Sequence, residues 1–132
     1  MGVYTRPQTT QGLHDTVIQT AAQRLDRSKY DVHMNPGSEK NIAVGSEYPD
    51  IVVTPRGANT VQFIIEVETE DSVSDSEADA QWKPYSELGG AFYLLVPHSS
   101  LQAARSICLR KAIRAKFATY WFEHNQLQIT YY

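Results

Sequence analysis

The 132-residue chain contains one cysteine, Cys108, which excludes an intrachain disulfide and a cysteine-based zinc cluster. It lacks any apolar segment long enough to span a bilayer, and residues 1–11 are too polar for a signal peptide. It also lacks repeats and low-complexity segments. We therefore expect a single domain over residues 1–132, located in the cytoplasm and without a membrane partner.

Charge is limited in total and unevenly distributed. The net charge is −3, which by itself argues weakly against a nucleic-acid partner. Between Glu66 and Asp79 there are seven acidic residues and no Lys or Arg, whereas between Arg105 and Lys116 there are five of the twelve basic residues and no acidic one. An acidic centre beside a basic helix suits an enzyme that holds a cation and steers an anionic substrate. The alternative is two solvated faces.

Periodicity and turn residues predict the element order α-β-β-β-α-β-α-β-β. Pro84 should kink or end the second helix, and the apolar run before Pro97 is typical of a central strand buried on both faces. Helices alternating with a mixed sheet indicate an α/β sandwich. The predicted helices are 11–27, 77–88 and 99–115, and the predicted strands are 30–34, 48–54, 60–69, 91–96, 117–123 and 127–132.

Two neighbouring predicted strands carry acidic residues among Ile and Val. Asp50 precedes the first apolar run, and Glu66 and Glu68 end the second. If the turn is centred on Ala58, Asp50 lies opposite Glu66, and Glu68 lies on the same face of its strand. Three carboxylates this close repel, so either one is protonated or a cation lies between them. Oxygen ligands of this kind suit Mg²⁺ or Mn²⁺.

The predicted hairpin register can be tested directly by the structure. A slip of one residue would turn Glu66 to the other face of the sheet. The alternative to a metal site is that Glu66 and Glu68 point outward from an edge strand and are solvated. The register centred on Ala58 pairs Ile51 with Ile65, Val52 with Ile64 and Val53 with Phe63.

Two motifs together point to a known family. Pro49-Asp50, followed by Glu66-Val67-Glu68 at the end of the next strand, resembles the PD-(D/E)XK nuclease superfamily. The segment Gln81-Trp-Lys-Pro-Tyr85 is similar to the Gln-x-x-x-Tyr signature on the helix after this motif in RecB-family nucleases. The resemblance covers about residues 11–122. It implies a restriction-endonuclease-like α/β/α sandwich around a central mixed sheet.

The resemblance also implies a function, namely metal-dependent hydrolysis of phosphodiester bonds in DNA or RNA. Asp50 and Glu66 would hold Mg²⁺ or Mn²⁺ together with the backbone carbonyl of Val67. Glu68 would be a further ligand or a base for the attacking water. Gln81 and Tyr85 would orient the substrate or the active-site groups. A domain of this size is expected to form a homodimer in order to span a duplex.

The chain departs from the family pattern at two positions. The third residue of the motif is usually lysine and is Glu68 here, so Lys83 on the following helix or Lys40 in the preceding loop would have to replace it. The leading helix often contributes a glutamate, and here His14 or Asp15 would have to serve. These departures make a catalytically inactive binding or regulatory module on the same fold the alternative prediction.

Several other residues have less specific interpretations. His14 is predicted to be a partly buried, hydrogen-bonded histidine, and Cys108 and Trp82 are predicted to pack in the core. The basic residues of the third helix could contact a phosphate backbone or complement the helix dipole. The aromatic residues of the last hairpin are expected to pack on one side and form a dimer contact on the other: Tyr120, Trp121, Phe122, Tyr131 and Tyr132.

Overall fold

The structure is a computed structural model that describes residues 8–35, 43–45 and 47–132, so Lys40 lies outside the described residues. The helix α2 consists of three consecutive turns: an α-helical turn at Asp75–Glu77, a π-helical turn at Ala78–Trp82 and an α-helical turn at Lys83–Ser86. The remaining elements are α1 (Gln8–Gln23), β1 (Tyr30–Met34), β2 (Ile51–Pro55), β3 (Phe63–Val67), β4 (Ala91–Pro97), α3 (Leu101–Arg110), β5 (Lys116–Glu123) and β6 (Gln126–Tyr131).

The six strands form one mixed sheet in the order β1-β2-β3-β4-β5-β6. The first three strands are an antiparallel meander, β4 runs parallel to both β3 and β5, and β6 returns antiparallel to β5. The predicted α/β class and the mixed sheet are therefore confirmed. No helix within the described ranges is long and apolar enough to cross a membrane.

Helices cover both faces of the sheet. On one face α1 packs through Val17, Ile18 and Ala21 against alternate residues of the strands. On the other face, Trp82 of α2 and Ala104 of α3 belong to a second buried cluster. The central strand β4 contributes Leu95 to the first cluster and Leu94 and Val96 to the second, as its apolar run predicted.

The predicted register of the β2–β3 hairpin is confirmed. Ile51 pairs with Ile65, Val52 with Ile64 and Val53 with Phe63. The strands predicted over 117–123 and 127–132 pair as β5 and β6, and the turn between them has positive φ at His124 and Asn125, 52° and 62°. Two consecutive left-handed residues form the tight turn whose twist matches that of the flanking strands.

Helix boundaries differ from the prediction. The helix α1 begins and ends earlier than residues 11–27. The helix α3 ends at Arg110 instead of near Ala115 because Ala112 adopts a left-handed φ of 56°, and the Ile113 N–H donates to the carbonyl of Cys108 at 2.9 Å. This is the Schellman pattern, in which a buried residue beyond the cap closes the helix. In α2, the π-helical turn precedes Pro84, which lies in the first turn of the last segment.

The two glycines before β4 offer a matched pair for stability measurements. Both have positive φ, at 90° for Gly89 and 71° for Gly90. A Cβ at Gly90 would lie 2.8 Å from the carbonyl oxygen of Gln62, whereas one at Gly89 would meet nothing within 4 Å. We expect Gly89→Ala to lower the free energy of unfolding by about 1 kcal/mol, and Gly90→Ala to lower it by at least about 2 kcal/mol more. Urea denaturation measures both, and equal losses would contradict the close approach.

Candidate active site

Asp50 and Glu66 meet where β2 begins and β3 ends, and we name them the carboxylate pair. The Asp50 backbone N–H donates to Oε1 of Glu66 at 3.2 Å, and the Val67 backbone N–H donates to Oδ2 of Asp50 at 2.8 Å. The exposed fractions are 7% for Asp50 and 4% for Glu66. The alternative that Glu66 and Glu68 are solvated on an edge strand is therefore wrong, because β3 is an interior strand and both side chains are buried.

The helix α1 adds His14 to the carboxylate pair. Its Nε2 lies 3.0 Å from Oδ2 of Asp50, and the side chain is almost wholly buried. On the other side of the ring, Nδ1 lies 3.3 Å from the side-chain nitrogen of Gln11. When the Asp50 carboxylate is ionised, Nε2 carries the proton that joins the two groups. The predicted hydrogen-bonded histidine is thus confirmed, and its partner is a candidate site residue.

Tyr85 brings a phenol to the same region. Burial raises the pKa of Tyr85 well above its usual value, and the carboxylates of Glu66, Asp50, Glu47 and Glu68 raise it further, in that order. In this buried and negatively charged environment the phenol stays protonated at neutral pH. It can therefore donate a hydrogen bond to an acceptor or accept a hydrogen bond on its oxygen. Tyr85 therefore lies within the electrostatic influence of the carboxylate pair.

Glu68 is wholly buried, and its carboxylate is held by hydrogen bonds from two side chains. Oε1 accepts from Oγ of Ser72 at 2.5 Å, and Oε2 accepts from Nε1 of Trp82 at 2.8 Å. The phenol of Tyr120 donates to the Glu68 backbone carbonyl at 2.8 Å. These bonds connect the end of β3 to α2 and to β5, so Glu68 organises the surroundings of the carboxylate pair.

The other candidate residues lie on α2. Gln81 is half-buried in the π-helical turn, four residues before Tyr85. Lys83 Nζ lies 3.4 Å from the carbonyl of Ala112 and 3.7 Å from a carboxylate oxygen of Glu87. The structure therefore directs Lys83 to the end of α3 and does not bring it to the carboxylate pair.

No three side chains of His, Cys, Asp or Glu within the described ranges are grouped to hold a metal ion. The two-carboxylate arrangement of Asp50 and Glu66, with His14 beside it, is what the fold assembles. No family model, no curated protein and no solved structure matches the chain. The nuclease resemblance consequently stays a prediction that rests on the motif residues.

The bond between Trp82 and Glu68 can be tested by removing its donor. Replacing Trp82 with Phe leaves one oxygen of a buried carboxylate without its partner, which we expect to lower the free energy of unfolding by about 2–4 kcal/mol. The control is Trp121→Phe, because the Trp121 indole donates to Glu123 at 3.3 Å in an exposed position and should matter far less. Chemical denaturation measures both variants, and similar losses would argue against a special role for Glu68.

The raised pKa of Tyr85 predicts a loss of stability in alkali. The pKa of Tyr85 is higher in the folded than in the unfolded protein. The stabilisation from its protonated form is therefore fully present below pH about 10, the ordinary pKa of tyrosine, and decreases as pH rises above that value. Tyr85→Phe should flatten this fall. The buried Cys108 thiol, whose pKa burial raises to about 11, contributes to the same fall and is unchanged by the substitution. The slope of unfolding free energy against pH is the measurement, and identical slopes for wild type and variant would refute the prediction.

Proposed function

We propose that this chain is a metal-dependent nuclease-like domain of the restriction-endonuclease-like class that hydrolyses phosphodiester bonds in DNA or RNA. The observation that carries the proposal is the carboxylate pair. Two buried acidic residues from adjacent strands meet there, and the Asp50 backbone N–H donates to the Glu66 carboxylate at 3.2 Å. They come from the Pro49-Asp50 and Glu66-Val67-Glu68 motifs that carry the family resemblance. A homodimer that presents two such sites to a duplex is part of the proposal.

The topology supports the proposal. The leading helix and the meander of three strands are compatible with the order of elements on which the resemblance rests. Helices on both faces give the expected three layers. The acidic residues lie at the junction of β2 and β3, where this class carries its motif.

The residues present fit a divalent cation. Oδ2 of Asp50 accepts the bonds from Val67 and His14, while Oδ1 accepts none from the described residues, and 10% of the side chain reaches solvent. Mg²⁺ is often bound by one or two carboxylates and keeps several waters, so Asp50 and Glu66, joined by the carbonyl of Val67, are suitable ligands. A cation bound there would neutralise charge on a phosphodiester and activate a water.

The surrounding side chains have distinct parts in this proposal. His14 holds the Asp50 carboxylate in one orientation, which leaves Oδ1 directed to a ligand. Tyr85, kept neutral by burial and by nearby carboxylates, offers a phenol that can donate to a phosphate oxygen, and Gln81 precedes it on the same helix. Glu68 fixes α2, and thereby both of these residues, through Trp82.

One observation favours a second candidate function, a binding module without catalysis. Two lysines could replace the lysine that the family motif usually carries. Lys40 lies outside the described residues, and Lys83 contacts the Ala112 carbonyl and Glu87 instead of the carboxylate pair. The Glu68 carboxylate accepts bonds from Ser72 and Trp82, which makes it a poor base for an attacking water. Such a module would keep the cation site and bind nucleic acid without cleaving it.

Metal binding can be measured apart from activity. We expect Mg²⁺ or Mn²⁺ to raise the melting temperature, by an amount that corresponds to about 2.7 kcal/mol at a hundred times the dissociation constant. Asp50→Asn should abolish the rise, because it removes the charge while keeping the shape. Glu87→Gln is the control, since this side chain is 64% exposed and lies outside the carboxylate pair. A metal response that survives in Asp50→Asn would place the ion elsewhere.

Cleavage separates the two candidate functions. Labelled single-stranded, duplex and branched DNA, and single-stranded RNA, are incubated with wild type or Glu66→Gln in Mg²⁺ or Mn²⁺. The nuclease predicts cleavage by wild type and a loss of at least about a hundredfold in the variant, as expected when a metal ligand is removed. Intact substrates in both reactions, together with a metal-dependent rise in melting temperature, would instead support the binding module.

A further inference from the structure

Four aromatic rings cross the sheet diagonally on the face that α1 covers. The row begins at the end of β1 away from Asp50 and passes Tyr93, which pairs with Ile65 beside Glu66. Adjacent rings contact edge to face with centroids 5.5–5.7 Å apart. The first three are half-buried, and the last is 45% exposed. We name this row the aromatic strip, and it consists of Tyr30 at the start of β1, Phe63 at the start of β3, Tyr93 in β4 and Tyr131 at the end of β6.

A cavity of about 350 Å³ continues the strip along the edge strand β1, and Arg27, Tyr30 and Arg56 are among its lining residues. Arg27 donates through Nη2 to the carbonyl of Ala22, and Arg56 donates through Nη1 to the carbonyl of Arg27, each at 3.2 Å. These bonds orient both exposed guanidinium groups and leave most of their five N–H donors available. The one carboxylate in the lining, Asp31, accepts the backbone N–H of Gly57 at 2.9 Å.

A third cation lies along the strip, since Nζ of Lys116 is 5.8 Å from the centroid of the Tyr93 ring. Within the described residues, neither Lys116 nor the two arginines of the cavity form an ion pair with a carboxylate. Three basic residues of α2 and the end of α3 differ in this respect, because they have acidic partners on or just after α2: Lys83 with Glu87, Arg110 with Asp75 and Lys111 with Asp79. Arg105 of α3 instead lies over the rings of Phe117 and Tyr132.

We propose that the aromatic strip, together with Arg27, Arg56 and Lys116, is a binding surface for single-stranded nucleic acid. Phosphates would contact the three cations, and unstacked bases would pack against the rings between them, as in proteins that combine a basic groove with aromatic side chains. Tyr30 and Arg56 lie at the other end of β1 and β2 from Asp50. The surface needs neither a bound metal nor catalysis, so it goes beyond the proposed function and can be tested separately.

The combination of rings and cations favours a single strand over other polyanions. An acidic protein segment would use the three cations but would leave the rings unused. A duplex would present phosphates with its bases stacked inside, which again leaves the rings without a partner. Only a strand with unpaired bases uses both parts of the surface at once.

The test measures binding of a fluorescently labelled oligothymidine by anisotropy, in EDTA so that no metal occupies the carboxylate pair. We expect Arg27→Gln combined with Arg56→Gln to weaken binding about tenfold and to reduce the salt slope of log K by about 1.4, the value for two lost phosphate contacts on a single strand. The matched control is Lys111→Gln combined with Arg114→Gln, which removes the same charge near the end of α3 and should change affinity less than about threefold. Arg27, Arg56 and Arg114 are exposed, and 23% of the Lys111 side chain reaches solvent, so both proteins should fold.

Four further measurements define the nature of the ligand. A duplex of equal length and poly-glutamate of equal charge should both compete several-fold less well than the single strand, and Tyr131→Leu should weaken only the single strand. Asp50→Asn combined with Glu66→Gln should bind like wild type in EDTA, since neither side chain belongs to the aromatic strip or to the lining of the cavity. This double variant makes the binding measurement independent of whether the protein cleaves nucleic acid.

Clear results would overturn the proposal. Absence of binding to any oligonucleotide at low salt would do so, as would equal losses from the two double variants, which would indicate a general charge effect. Equal competition by poly-glutamate would assign the surface to an acidic protein instead. Loss of binding in the Asp50 and Glu66 variant would place the nucleic acid at the carboxylate pair.

Discussion

The hydrogen bond from the Val67 backbone N–H to Asp50 is the contact on which the rest of the candidate site depends. It joins the beginning of β2 to the end of β3, and the same Asp50 oxygen faces His14 of α1, 36 residues earlier in the chain. A buried carboxylate is costly unless it is compensated, so these two donors determine whether Asp50 can remain inside at all. Because Glu66 in turn accepts the backbone N–H of Asp50, both acidic side chains are held by one small set of contacts.

Glu68 shows how the same fold uses a buried carboxylate for a different purpose. Donors from Ser72 and Trp82 compensate its charge, and the phenol of Tyr120 holds its backbone carbonyl. The π-helical turn ends at Trp82, and Tyr85 follows three residues later, so a bond that stabilises the core also sets where the phenol of Tyr85 lies. One acidic residue of the motif thus organises α2, while Asp50 and Glu66 join β2 to β3.

Local chemistry made much of the hairpin predictable, since the alternation of apolar residues and the turn centred on Ala58 gave the observed register. The His124-Asn125 turn was predictable for the same reason, because its residues tolerate positive φ. Contacts between distant elements were not predictable. Nothing in the sequence pattern around His14 identifies Asp50 as its partner. The direction of the Lys83 side chain depends on where α3 ends. That end is determined by the left-handed conformation of Ala112 and not by the apolar periodicity.

The charge runs in the sequence acquire a different meaning once the chain is folded. The acidic run does not form one negative surface, because Glu68 and Glu77 are buried and two other members pair with α3. Those pairs engage Arg110 and Lys111, two of the cations that made α3 a candidate for phosphate contact. Arg27, Arg56 and Lys116, which form no ion pair with a carboxylate among the described residues, come from parts of the chain far apart in sequence. Charge that is useful for recognition therefore follows from which ions the fold leaves uncompensated, and no count along the chain reveals this.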